Sequence, residues 1–384
     1  MHPENFSKNS PGKLVKTPQG YWAFLPDALP PLITPTWELV HQNSEAERAL
    51  SELAGVARTL PNPHLLSNAF VPREAVLSSR IEGTRTSLPD LFYFEAEGTS
   101  KLPTFDLLEV VNYRKALEYG LTRLESLPVS LRLIREIHER LMAGTRGGHL
   151  TPGEFRRSQN WIGPPGCTLM DATFVPPPEA EMHLTLGELE MYLHTPSYIP
   201  PIIRLALIHY QFESIHPFLD GNGRVGRLLV TLLFCAEGLL TQPLLYLSAF
   251  FERHQQEYYR LLLAVSQQGA WSEWIAFFLR GVADQSRDGV KRASRLLNLW
   301  NEYRERLQST RTSILMLRLV DLLFANPVTT VKVAANRLHV TQKAIRLNIE
   351  KLVDENILRE VTGQQRNRVF LASAIMDIME APEA

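Results

Sequence analysis

The chain has 384 residues, with 40 Lys and Arg against 41 Asp and Glu and a net charge of −1. That balance argues against a surface devoted to gripping nucleic acid or an anionic membrane, and no apolar run approaches the ~18–20 residues that span a bilayer. Two cysteines, Cys167 and Cys235, lack metal-ligand spacing, which disfavours a disulfide framework or a zinc site and leads us to expect a cytoplasmic protein.

In chain order the reading is mostly helical. The start, "MHPENFSKNSPGKLVKTPQG", is polar and proline-broken, unlike a targeting peptide. Residues 1–36 are expected to wrap a surface. "SEAERALSELAGVARTL" (44–60) has apolar residues at helical spacing, with Ser44 placed to cap its start. "VPREAVLSSRIEG" (71–83) predicts a helix that starts at a proline and stops at Gly83. Two more amphipathic helices follow in "DLLEVVNYRKALEYGLTRL" and "SLRLIREIHERLMAG". Gly and Pro then cluster in "TPGEFRRSQNWIGPPGCTLMDATFVPPP" (151–178), an irregular β-hairpin. Helices resume with "PIIRLALIHYQFESI", "QQEYYRLLLAVSQQ" and "WSEWIAFFLRGVADQ", and a charged connecting helix is expected over 286–312. Beyond it, two short helices joined at "LHVT" and two β-rich pieces, "ILREV" and "RVFLA", suggest a winged helix.

The chemistry concentrates in "HPFLDGNGRVGR" (216–227), which runs into a buried helix. Arg224 and Arg227 fall in its first turns, where the dipole disfavours cations. They make sense if anionic oxygens sit above the helix end, where Gly221 and Gly223 let backbone N–H groups converge. Asp220 would supply a hard oxygen ligand for Mg²⁺, and His216 a base active at neutral pH. Taken singly, Asp220 also reads as an N-cap and His216 as a structural histidine. The mirror-image anomaly is Glu82, an acid at the C-terminal end of its helix, which needs a cation from elsewhere.

The stretch resembles the Fic family motif, His-x-Phe-x-(Asp/Glu)-Gly-Asn-Gly-Arg-x-x-Arg, at every defined position, and the similarity extends over roughly residues 70–285 through "EVVNYRKAL", "GEFRRSQNWIG", "FVPPP" and "EYYRLL". The resemblance implies a mainly α fold: a Fic-type helical core with a β-hairpin flap, here followed by a C-terminal winged helix-turn-helix domain. The expected divisions are an N-terminal region to 105, a core over 106–285 with its flap at about 154–178, the connecting helix, and a winged-helix domain over 313–384. It implies transfer of AMP from ATP to a Tyr, Thr or Ser hydroxyl of a target protein docked at the flap, with self-modification in vitro. In that scheme His216 is the general base, Phe218 a core anchor and Asp220 the Mg²⁺ ligand. Gly221, Asn222 and Gly223 form the phosphate cradle, with Val225 and Gly226 in the same nucleotide-binding segment. Arg224 takes the β-phosphate, Arg227 the γ-phosphate, and Tyr259 lines the nucleoside pocket. Glycine rather than lysine at 223 favours AMP transfer over phosphoryl transfer.

"SSRIEG" (78–83) resembles the family's inhibitory motif, (Ser/Thr)-x-x-x-Glu-(Gly/Asn), which implies that Ser78, Glu82 and Gly83 are regulatory and that Glu82 pairs with Arg227 to block a productive ATP pose. In some relatives the same glutamate helps remove AMP, so a reverse activity stays open. A homodimer is also compatible with the resemblance. Residues 327–371 hold eight Lys/Arg against four Asp/Glu, a local charge of +4. Gln342, Lys343 and Arg346 could then face a major groove and Arg366 and Arg368 reach phosphates, but protein contact fits as well. The alternative function is a DNA-binding transcriptional regulator whose Fic-like core senses nucleotide.

Overall fold

The computed structural model describes residues 1–59, 63–97, 103–308 and 313–382. Among them the chain forms fifteen α-helices and five short strands. The first surprise is at the start. Gly12–Lys16 (β1) and Trp22–Pro26 (β2) pair antiparallel, with Lys16 opposite Trp22, around a turn in which Gly20 takes φ +94. Phe24 and Ala23 of β2 pack with Ala172, Phe174 and Val175 in a small separate core, and the Phe24 N–H donates to the Val175 carbonyl at 2.9 Å.

Helix α1 spans Trp37–Thr59 and begins earlier than expected. Thr36 caps it, accepting from the Leu39 N–H at 3.2 Å, whereas Ser44 lies inside the helix and donates to the Val40 carbonyl. The first turns were hidden because they bury little: Trp37 and Val40 are exposed. Helix α2 spans Pro63–Ile81, so Pro72 lies within it rather than at its start. A helix packed on several sides can carry a proline that would break an isolated one. Helix α3 (Leu88–Glu97) was not foreseen; Ser87 and Asp90 cap its start reciprocally, each backbone N–H donating to the other's side chain.

Helices α4 (Phe105–Arg123) and α5 (Leu131–Met142) start at side-chain caps from Thr104 and Ser130. The 151–178 segment is a hairpin held by one β-bridge, Ile162 with Phe174. Then come α6 (Glu179–His194), α7 (Pro201–Ile215), α8 (Asn222–Ala236), α9 (Ser248–Arg253) and α10 (Gln255–Gln268). Helices α7 and α8 pass through the centre of the core almost fully buried, their polar residues included.

Helix α11 runs unbroken from Trp271 to Gln308, so the expected connecting helix is the second half of a longer one, and α1 packs along it. The C-terminal module comprises α12 (Ile314–Ala325), β3 (Val328–Thr330), α13 (Val331–Leu338), α14 (Gln342–Asp354), β4 (Arg359–Glu360), β5 (Val369–Leu371) and α15 (Ser373–Glu380). Its strands pair antiparallel in the order β3-β5-β4. The module docks back on the N-terminal helices: α12 packs on α2, and the Asn326 amide donates to Glu95 at 3.0 Å. Buried Arg292 of α11 pairs with Asp288 and donates to the carbonyls of Ile378 and Ala381, fastening the end of α15.

Candidate active site

The site is built where α7 stops and α8 starts. Pro217 forbids α7 to continue, and His216 turns the chain with φ 49 and ψ 61. That left-handed conformation is costly for a residue with a Cβ and needs support from its surroundings. Arg156, fully buried, supplies it by donating to the His216 carbonyl at 3.0 Å and to Pro177, while Asn160 donates to the carbonyls of His216 and Phe218. The His216 Nδ1 faces the Glu213 carbonyl at 3.2 Å, so Nδ1 carries the proton and Nε2 keeps its lone pair. Burial, aided by Arg156, lowers the imidazole from its ordinary value to about 4, so it is neutral at pH 7.

The loop between them is clamped from three sides. Phe218 is fully buried and stacks on His138 with ring centroids 3.7 Å apart. His138 Nδ1 accepts from the Gly153 N–H at 2.9 Å, which leaves Nε2–H to donate to the Asp220 carbonyl at 3.0 Å. Burial lowers this imidazole to about 4 as well. The Asn222 side chain both accepts from the Phe218 N–H and donates to its carbonyl, each at 2.8 Å. The Asn222 side chain is thus committed to holding the loop. The Asp220 carboxylate is 44% exposed and accepts from the Gly221 N–H at 2.6 Å. A Cβ at position 147 would collide with its second oxygen, so Gly147 lets the 144–148 loop close beside it.

Helix α8 starts from Gly221 at φ 79 and ψ 6, with no side-chain cap. The N–H groups of its first turn have no intrahelical acceptor, and a carboxylate lies against that turn: a Cβ on Gly223 would collide with Glu82 Oε1. Glu82 follows the last residue of α2 in a turn that Gly83 completes at φ 94. Arg227, 2% exposed, donates to Glu82 Oε1 at 2.5 Å, to the Ser78 hydroxyl at 2.9 Å and to the Ser78 carbonyl at 3.0 Å. Its other terminal nitrogen has no hydrogen-bond partner. Burial alone would raise the Glu82 carboxyl; the Arg227 guanidinium outweighs it, and Glu82 titrates below the ordinary value.

Arg224 is also buried, pairing with Glu109 at 3.2 Å and Asp220 at 3.5 Å. Tyr259 of α10, half-exposed and packed against Tyr258 with ring centroids 5.2 Å apart, is raised to about 12 by burial and by the Glu82 charge. Gln255 fastens this edge to α2 by donating to the Ile81 carbonyl at 2.8 Å.

Ser78, Glu82, His216, Asp220, Gly221, Gly223, Arg224, Arg227 and Tyr259 thus converge. Val225 and Gly226 fall outside the cluster. Val225 is buried in the core and its N–H is taken by the Gly221 carbonyl, while the space a Cβ on Gly226 would need is filled by Glu213. Sequence reading missed Glu109, His138, Arg156, Asn160 and Glu213. Glu109 left one signal, a lone acid between Leu107, Leu108, Val110 and Val111. Among the described residues no group of three or more His, Cys, Asp or Glu could hold a metal. Asp220 alone fits Mg²⁺ bound mainly through substrate phosphates, the usual mode for that ion.

Comparison with known proteins agrees with this architecture. The Fic/DOC family N-terminal model matches residues 40–122, the Fic/DOC family model residues 128–234, and an HTH DNA-binding domain model residues 316–370. Protein adenylyltransferase Fic of Drosophila virilis is 30% identical over 182 residues, 46% of this chain and 32% of the fly protein; that of Drosophila erecta is 29% identical over the same length. The chain thus spans about a third of the length of these relatives. A Fic family protein from Desulfovibrio desulfuricans superposes with a TM-score of 0.56 at 18% identity, over 90% of this chain and 98% of that one. A fragment of Fic-1 from C. elegans superposes with a TM-score of 0.53 at 22% identity, over 68% and 74%. No helix among the described residues is long and apolar enough to cross a membrane. The chain thus carries the Fic/DOC family's N-terminal and Fic regions in succession, over residues 40–122 and 128–234, followed by a helix-turn-helix domain over 316–370.

Proposed function

We propose that the chain transfers AMP from ATP to a hydroxyl side chain of a target protein, releasing pyrophosphate, and that Glu82 holds it inactive. One observation carries this reading. A carboxylate from the turn that ends α2 lies against the first turn of α8 and is bonded to Arg227, beside the helix end that suits an anion.

In the active state Arg227 leaves Glu82 and binds the terminal phosphate. The target hydroxyl approaches His216, whose Nε2 takes the proton. The hydroxyl oxygen then bonds to the α-phosphorus, the bond from that phosphorus to the bridging oxygen breaks, and pyrophosphate leaves. Negative charge growing on the leaving group faces Arg224 and the free N–H groups of α8, donors fixed before the reaction begins. Asp220 would hold Mg²⁺, which when bound neutralises phosphate charge. The 151–178 hairpin exposes Trp161 and Ile162 at its edge, suited to pairing with an extended target segment.

A second reading is a regulator of transcription, favoured by the match of residues 316–370 to a DNA-binding domain. Gln342, Lys343, Arg346, Arg366 and Arg368 are all exposed there, available to DNA or to a protein partner. Incubation of the protein and its Glu82→Gly form with α-labelled ATP and Mg²⁺ separates the two. Label that survives denaturation and vanishes in His216→Ala supports transfer. Absence of label, with salt-sensitive binding to a specific DNA, supports the regulator.

A further inference from the structure

We propose that Glu109 is a positioning residue: a fixed counter-ion that keeps Arg224 aimed at the phosphate seat while Asp220 is committed to the divalent cation. The inference rests on the transferase reading above.

Among the described residues, buried Arg224 donates to no backbone carbonyl, so its charge depends on neighbouring carboxylates. Two are near, and they differ in kind. Asp220 lies 3.5 Å away, its carboxylate 44% exposed and already accepting from the Gly221 N–H. Glu109 lies 3.2 Å away and is only 7% exposed. It comes from α4, an element outside the motif, and its other oxygen accepts from Arg146 Nε at 3.1 Å. Arg146 in turn donates to Asp106 at 2.8 Å. The result is a row of alternating charges, Asp106, Arg146, Glu109, Arg224 and Asp220, running from the surface into the site.

Within that row Glu109 has each oxygen on a different guanidinium, so it cannot turn away without unpairing one of them. Asp220, by contrast, loses its hold on Arg224 once its charge is drawn to a cation. Arg224 keeps Glu109 and so keeps its direction. If Glu109 lost its charge, Asp220 would be the carboxylate left within 4 Å of Arg224 among the described residues. Arg224 would then close on Asp220 and compete with the cation for it.

The test uses the full chain in the Glu82→Gly background, comparing Glu109→Gln and Glu109→Asp. Transfer should fall about tenfold in the Gln form, as for residues that orient a metal-site group. The Mg²⁺ concentration giving half-maximal binding of a non-hydrolysable ATP analogue, read by calorimetry without turnover, should rise. Asp should restore part of both. Combined with Arg224→Ala, Glu109→Gln should add less than about a twofold further loss, because the two residues act as one unit. An unmoved Mg²⁺ requirement, or an equal loss with and without Arg224, would overturn the positioning role. If the Gln form does not fold, the Asp form carries the same comparison. If the Glu82→Gly parent neither labels nor binds ATP, the transferase reading falls and this inference with it; if the parent does both while Glu109→Gln matches it, the inference falls alone.

Discussion

Glu82 Oε1 lies 2.5 Å from a terminal nitrogen of Arg227, in the space that a side chain at Gly223 would claim. The contact joins the C-terminal end of α2 to the N-terminal end of α8. Each end presents its charge where its own dipole disfavours it, and each relieves the other.

Loss of this pair should activate. Glu82→Gly is expected to raise AMP transfer at least about tenfold, equivalent to ~1.4 kcal/mol of barrier. Ser78→Ala removes the hydroxyl that accepts from Arg227 Nε and leaves the Ser78 carbonyl in place. It should activate a few-fold, in line with the ~1 kcal/mol of one hydrogen bond, and add nothing to Glu82→Gly. Labelling rates at saturating ATP check both, and activation by Ser78→Ala in the Glu82→Gly form would contradict a shared lock.

The pH dependence of transfer should report the burial of His216. A general base must be neutral, and this imidazole is held at about 4. Activity of the Glu82→Gly protein should therefore stay level from neutral pH down to well below ~6.5, the ordinary histidine value, and be lost only as pH falls through about 4. An acid limb at the ordinary value in the kcat/KM profile would show that solvent reaches the ring in the competent enzyme.

His138 should matter to stability and to the loop together. His138→Ala removes the ring stacked on Phe218 and frees both the Asp220 carbonyl and the Gly153 N–H. A loss of about 2–4 kcal/mol is expected, the range for a buried aromatic with two hydrogen bonds, measured by denaturant midpoint. A change below ~1 kcal/mol would show that the loop holds its shape without this clamp.

Arg292 ties the C-terminal module to α11. Arg292→Ala leaves Asp288 facing only the longer pair with Arg73, at 3.7 Å, and strips the carbonyls at the end of α15 of their donor. A cost of about 3–5 kcal/mol follows for a broken buried pair. Proteolysis should then release the module first; a melting profile unchanged from the parent would refute the tether.

The helical class, α7 and α10 to the residue, the winged C-terminal order and the twelve-residue loop that anchors the site were all legible in the order of residues. These are local properties: apolar periodicity, turn residues and a motif whose members are neighbours in the chain. The sequence also marked Glu82 and Arg227 as charges at the wrong ends of their helices; that the two pair was implied by the resemblance of "SSRIEG" to the family's inhibitory motif.

Tertiary structure decided the rest. Glu109, His138 and Arg156 reach the loop from α4, α5 and the hairpin, and no spacing in a one-dimensional chain reports which carbonyl a remote side chain will meet. The passage of α2 through Pro72 depended on packing that overrides local preference, whereas the exposed first turns of α1 left little apolar pattern to read. The N-terminal hairpin was missed because its few apolar residues gain their burial in a small core shared with distant Ala172, Phe174 and Val175. Contacts between neighbours can be read from the order of residues; contacts made by folding depend on which surfaces the whole chain brings together.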